Sequence, residues 1–251
     1  MDIYDYAKYP AKEDWLEICK DKADALDKLH LNIDKKKFNI LKFNEAYHGM
    51  KLNYWLQEFN NRSFDLIVNY TMLKSYYLAG IPDDEWYKSP GENGYMVQYF
   101  PHFEEEHHAN LYWFGFYMDG YYSRFSGLID SVYHLINTKY KFEIEHKLGF
   151  IKKVLTKLKV EDRVLYDFLN DLPNNEVYIK VNEFRNNLIH NYRPNQIDSG
   201  FSKETKPDGT QVMKMSVGNY TTSKEFMINI DNSLDLLANI TDTIRNKVKE
   251  E

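Results

Sequence analysis

From Glu104 to about Asn137 the chain runs without a proline, and Leu111, Gly115, Met118, Tyr122, Phe125, Ile129, Val132 and Ile136 recur along it as one continuous apolar stripe. A helix of that length cannot bury its own stripe, so this segment is expected to be the central member of a helical bundle. Pro101 and the acidic residues Glu104 to Glu106 mark its start. Gly115, Gly120 and Gly127 each cost about 1 kcal/mol of helix propensity against Ala, which predicts close approach of a neighbouring helix. Asp119, Ser123, Ser126 and Asp130 form a polar line on the same helix. A buried Asp needs a partner, and Arg185 and Arg124 are the candidates, with Asp119 or Asp130 placed to orient Arg185.

The rest of the chain reads as further helix with one β interruption. Trp15, Ile18, Cys19, Leu26 and Leu29 have helical spacing over about 12 to 30, and Phe64, Ile67, Tyr70, Leu73 and Tyr77 do so over about 63 to 79. Ile81-Pro82 stops the second run. Pro90-Gly91 and Asn93-Gly94 make the polar stretch that follows a loop and the most plausible internal boundary. Helices are expected over about 146 to 158, 161 to 171 and 174 to 191. Lys206-Pro207-Asp208-Gly209 between Phe201–Thr205 and Gln211–Val217 reads as a β-hairpin. A last helix follows, capped by Ser223 or Thr222, with Phe226, Ile230, Leu234, Leu237, Ile244 and Val248 on one face. The expected fold is mainly α, an antiparallel bundle with a small hairpin inserted before the last helix. Its expected divisions are residues 1–81 as an N-terminal helical extension, 82–103 as a connection, and 104–251 as the main helical domain.

Composition narrows the functional classes. At 43% apolar residues with no long uncharged apolar run, no membrane span is expected, and no signal peptide is read at the start. Cys19 is the one cysteine, which allows no internal disulfide, suits a reducing cytoplasmic setting and reads as a buried small hydrophobe. A net charge of −6 is not that of a general nucleic-acid binder, and DNA binding is not expected. Any RNA contact has to be local. The stretch from Lys139 to Arg163, where eight Lys and Arg outnumber four Asp and Glu, is the basic patch to test, although such runs are more often solvated helix faces. The 21 Tyr and 15 Phe, including the run Tyr112 to Tyr117, are better read as core than as base-stacking platforms.

The chemistry concentrates at the end of the helix expected over 174 to 191. Phe184-Arg185-Asn186-Asn187-Leu188-Ile189-His190, followed by Asn191 and Tyr192, gathers a permanent cation, carboxamides, an imidazole and a phenol, a set suited to holding phosphate and moving a proton. On a helical wheel Val177, Val181, Phe184 and Leu188 form an apolar stripe, while Asn182, Asn186 and His190 form a polar one. Arg185 and His190 flank that polar strip about 140° apart and can border a groove shared with a second copy of the helix. Pro194 ends the helix and leaves Tyr192 and Arg193 on its rim. Read without chemistry, the same residues are a polar solvent face with His190 beside the helix C-terminus.

This pattern resembles the signature of the HEPN superfamily (higher eukaryotes and prokaryotes nucleotide-binding): an Arg, usually a polar residue, then His after four to six intervening residues. With Tyr192 it is also similar to the Arg, four residues, His, one residue, Tyr pattern of HEPN toxins that pair with a minimal nucleotidyltransferase. The resemblance implies a small antiparallel helical bundle, here over about Glu104 to Glu251. It further implies a metal-independent endoribonuclease without a cofactor, in a defence, toxin or RNA-processing context, whose site is built from two copies of the motif helix in a homodimer. Arg185 would clamp the scissile phosphate and His190 would transfer the proton at the ribose 2′-hydroxyl or the leaving oxygen. Asn186 would orient phosphate or imidazole, with Asn182, Asn187, Tyr192 and Arg193 as substrate contacts. Tyr192 would alternatively receive a nucleotide from a partner nucleotidyltransferase. The other reading is a non-catalytic HEPN-like module that binds a nucleotide or a protein through the same groove.

A metal site is the rival enzyme reading. Glu104 with His107, Glu105 with His108, and Glu143 with His146 each have the spacing that helical bundles use for paired metals, but the further inward-facing Glu residues such a site needs are not apparent. Phosphate-binding glycine motifs and a nucleophilic serine elbow are absent from the sequence.

Overall fold

A computed structural model describes residues 2–32 and 43–249, with side chains to Lys247. The elements run α1 (Lys12–Cys19), α2 (Ala23–Lys28), α3 (Phe43–Ala79), β1 (Tyr87–Lys88), β2 (Gln98–Tyr99), α4 (Glu105–Lys139), α5 (Phe150–Glu161), α6 (Arg163–Asp171), α7 (Glu176–His190), β3 (Phe201–Thr205), β4 (Gln211–Met215) and α8 (Ser223–Lys249). The fold is mainly α, with two small antiparallel hairpins. No helix of the described residues is long and apolar enough to cross a membrane.

The expected stripe of α4 is the middle of the core. Phe114, Met118, Tyr121, Tyr122, Phe125, Ile129, Val132 and Ile136 are buried, and α3, α7 and α8 pack around them. Tyr112 and Phe116 point away and stay half exposed. The approach of a neighbouring helix that their cost predicts is met at Gly120, whereas the close neighbour at Gly115 belongs to the segment after α7 and Gly127 meets only the end of the Arg62 side chain at 3.5 Å. Asn69 of α3 sits where a Cβ on Gly120 would lie, and Asn195 comes within 2.7 Å of the corresponding position on Gly115.

Two expectations are corrected. The run over 63 to 79 is the end of a helix that begins at Phe43, and its core face is Leu66, Tyr70 and Leu73, while Phe64 is 65% exposed. The expected helix over 12 to 30 is broken: a 3-10 turn at Lys20–Lys22 separates α1 from α2. Cys19 there is half-buried, with its Sγ 3.2 Å from the Thr71 hydroxyl, and burial raises its pKa. The N-terminal segment is tied to the bundle by a polar chain. Lys74, buried, meets Asp21 and donates to the Tyr70 hydroxyl (2.9 Å), which donates to Asp231 of α8 (2.9 Å). Leu26, Leu29 and Leu31 belong to the same core cluster as α4.

The connection over 82–103 is tied to residues distant in sequence, at the start of α8. Asp83 is buried, and its carboxylate accepts from Tyr220 Oη (2.7 Å), the Ser223 backbone N–H (2.8 Å) and Ser223 Oγ (2.7 Å). It thereby satisfies donors at the start of α8, where Thr222 Oγ1 accepts from Glu225 N–H. The second hairpin forms as the turn chemistry predicts, with Gly209 at φ +83° and Thr205 opposite Gln211. Phe226, Ile230, Leu234, Leu237 and Ile244 of α8 are buried; the expected side chain at Val248 lies outside the described residues.

Candidate functional site

The motif helix α7 is fixed at both ends. Asn175 caps its start, the side-chain oxygen accepting from the backbone N–H groups of Val177 (3.0 Å) and Tyr178 (3.1 Å). At its end, Asn191 Nδ2 donates to Asn187 Oδ1 (3.0 Å), and the Pro194 carbonyl accepts from Thr221 N–H (2.7 Å). Val181, Phe184 and Leu188 are buried, Phe184 packing 4.5 Å from Phe226 and 5.8 Å from Tyr122 between ring centroids. The helix is therefore clamped by its apolar stripe, and the motif residues are left on the surface side.

Arg185 lies partly under the surface. Its Nε is buried and has no hydrogen-bond partner among the described residues, and Nη1 makes a long 3.4 Å contact to Asn186 Oδ1. A buried guanidinium donor without an acceptor costs about 1–3 kcal/mol, so the fold alone gives no reason for it. His190 is exposed on the last turn, Tyr192 is 89% exposed beyond it, and Asn182 is half-buried one turn before Asn186. Of the seven residues expected to serve, Asn187 is engaged with Asn191 and Arg193 with Asp119, at 3.5 Å.

That last pair answers one expectation about the polar line of α4. Asp119 binds Arg193 rather than Arg185, and Arg124 bonds the Gly120 carbonyl. Asp130 lies in the field of Arg62, His146 and Arg185 without a hydrogen bond to any of them. Although its edge is exposed, desolvation outweighs the opposing pull of these neighbours and raises its pKa. The line Ser126, Asp130, His134 continues at i, i+4, i+8, and that spacing was the available signal for what lies there.

Asp130 and His134 open into a cleft of about 770 Å³ formed by α4, the turn before α5, α5 and α6, which the motif itself does not line. His134 is stacked on Trp55 (4.1 Å, 7°) and on Phe150 (4.6 Å, 27°), with His146 4.9 Å away. Burial, aided by His146, Arg62 and Lys51, pushes His134 down to about 4. His146 precedes α5 rather than opening it.

The Glu and His pairs go elsewhere. His107 Nδ1 accepts from the Glu104 backbone N–H (3.0 Å) at the start of α4, Glu143 lies 3.8 Å from His48, and His146 packs on rings. Among the described residues no three His, Cys, Asp or Glu come together as metal ligands.

A family model described as HEPN_Cthe2314-like HEPN matches residues 55–249. No curated protein and no solved structure matches the chain. The matched span starts inside α3, ahead of the boundary expected at 104, in keeping with the packing of α3 against α4 in one core. It contains the bundle, the inserted hairpin and the whole of α7 with Arg185 and His190 at its end, and by that match the chain belongs to the HEPN superfamily.

Proposed function

We propose that this HEPN protein is a metal-independent endoribonuclease whose site joins Arg185 and His190 of two copies of the chain. The observation that carries the reading is the buried, unpartnered Nε of Arg185 beside an exposed imidazole five residues on. A planar fork of donors suits phosphate oxygens and the charge that develops on them. An imidazole can take the proton of a ribose 2′-hydroxyl, whose attack on the adjacent phosphorus forms a 2′,3′-cyclic phosphate and expels the 5′-oxygen, which is then protonated. Neither step calls for a metal.

The two-copy arrangement is supported by what one copy lacks. Among the described residues no side chain hydrogen-bonds to the His190 ring. The segment after α7 lies on Gly115–Asp119 of α4, where Phe116 is 58% exposed, and Ile189 is 46% exposed on the motif helix. An apolar rim around a polar strip suits a two-fold contact. Tyr192 stands free at that rim, where a partner nucleotidyltransferase of a toxin–antitoxin pair could modify it.

The unoriented imidazole also favours a second reading, a non-catalytic module that binds a nucleotide or a protein at the same strip. Incubating purified protein with mixed RNA in EDTA separates them. Fragments from wild type that disappear in Arg185→Ala and His190→Ala support the nuclease. Intact RNA with wild type, together with nucleotide binding lost in Arg185→Ala, supports the binding module. Light scattering is expected to give a dimer at micromolar concentration, and a monomer would remove the two-copy site.

A further inference from the structure

The cleft beside Asp130 has a local charge opposite to that of the chain. Lys147, Lys152 and Lys159 line it against the single carboxylate of Asp130, in a molecule of net charge −6. Lys147 is engaged by Glu145 at 2.8 Å, whereas Lys152 and Lys159 are exposed on α5 without an ion pair among the described residues. Lys159 Nζ lies 5.6 Å from the ring of Tyr166, so cation and aromatic surface adjoin. His146 adds an exposed ring on the other wall, seated 5.2 Å from Phe150. Lysines over part-exposed rings are the combination that holds single-stranded nucleic acid, charge tracking the backbone and rings taking bases.

Position connects this cleft to the motif. Asp130 lines the cleft and Arg185 is among the charges that act on its carboxyl, so the cleft and the motif Arg lie within electrostatic reach of one another. A volume of about 770 Å³ is in the range of pockets that enclose small ligands, roughly 300–1,000 Å³. The rings on its floor are held by stacking on His134 and Trp55, which gives a rigid surface rather than a gap left by loose packing.

We infer that the cleft between α4, α5 and α6 is a substrate subsite that holds single-stranded RNA on one side of the scissile phosphate, with Lys152 and Lys159 on the backbone and Tyr166 and His146 against bases. The inference rests on the ribonuclease reading and extends it: cleavage chemistry sits at the end of α7, and much of the grip on the strand sits on α5. Duplex RNA, whose bases are already stacked, should be held poorly here.

The test uses binding, so that it does not depend on cleavage. A short, fluorescent 2′-O-methyl single-stranded RNA, which lacks the attacking hydroxyl, is titrated with the full chain over a range of salt concentrations. The double variant Lys152→Gln/Lys159→Gln is expected to bind at least about fivefold more weakly, and the salt slope to fall by about 1.4 in magnitude, at about 0.7 for each phosphate contact on a single strand. Lys153→Gln, on the same helix but outside the cleft, sets the background and is expected to change affinity less than about twofold. All three lysines are exposed, and an unchanged melting curve verifies the fold. A double variant that binds like Lys153→Gln, or a wild type that does not bind, overturns the subsite. Binding that depends on Lys152 and Lys159 in a protein that cuts no RNA keeps the strand site and overturns the nuclease instead.

Discussion

The polar groups between α3 and α8 and those at the end of α7 are treated in opposite ways by the same fold. On the first side Lys74, Tyr70 and Asp231 form a closed chain, and Asp83 takes three donors at the head of α8. On the second side a buried guanidinium nitrogen has no acceptor, and His190 and Tyr192 project into solvent. Closed networks fix position and add stability; of the four buried side-chain atoms left without a partner among the described residues, Arg185 Nε is the cationic one, the others being neutral oxygens of Ser63, Thr138 and Asn195, and it is the one that a ligand anion would complete. The difference teaches that function is to be sought at α7 rather than in the more elaborate network opposite it.

Removing a satisfied hub should produce the largest stability loss. Asp83→Ala strands the Tyr220 hydroxyl and two groups of Ser223 in a dry site, with an expected loss of about 3 kcal/mol in chemical denaturation. A loss under about 1 kcal/mol would show that the hub is not what holds the connection to α8.

The stacked His134 gives the next effect, through pH. Its folded-state value of about 4 lies below the ordinary 6.5, so between these limits the unfolded chain binds the extra proton. Stability should be full above about pH 6.5, fall as the pH drops toward 4, and level off below. Because the ring is only partly enclosed, the loss is expected at about 1–2 kcal/mol rather than the full shift. His134→Phe keeps the stack without the proton and should flatten the dependence; an unchanged slope would place it in another group.

Smaller again is the Arg193–Asp119 pair, part exposed at 3.5 Å. Asp119→Ala should cost under about 1 kcal/mol, measured by thermal unfolding. The smallest effect is expected where function is placed. Arg185→Met keeps the apolar stem and deletes the unsatisfied donor, so its stability should lie within about 0.5 kcal/mol of wild type or above it. A marked loss would return Arg185 to the class of structural residues.

Legibility in the sequence followed the range of the interactions. The stripe of α4, the apolar side of α7 and the turn at Lys206–Gly209 are written in residues a few positions apart, and each appears where periodicity or turn chemistry places it. The first half of α3 is not legible in this way, because Phe43, Tyr47 and Tyr54 carry apolar bulk on its exposed side and blur the period. Asp83 is a lone carboxylate in a loop, and its partners lie some 140 positions away. The motif residues could be named from spacing, yet not that Arg193 would be taken by Asp119, nor that Arg185 would keep an open donor. The cleft draws on three helices and the turn before α5, so only its Lys-rich stretch and Asp130, at the end of the polar line of α4, were named beforehand.

The most direct measurement is the rate of RNA cleavage in EDTA by wild type, Arg185→Lys and His190→Asn, with melting curves taken on the same preparations. The account predicts cleavage by wild type, a loss of at least about a hundredfold in Arg185→Lys because an ammonium cannot make the paired contacts of a guanidinium, and none in His190→Asn, all three melting alike. Cleavage that needs an added divalent metal, or that persists in His190→Asn, would contradict it.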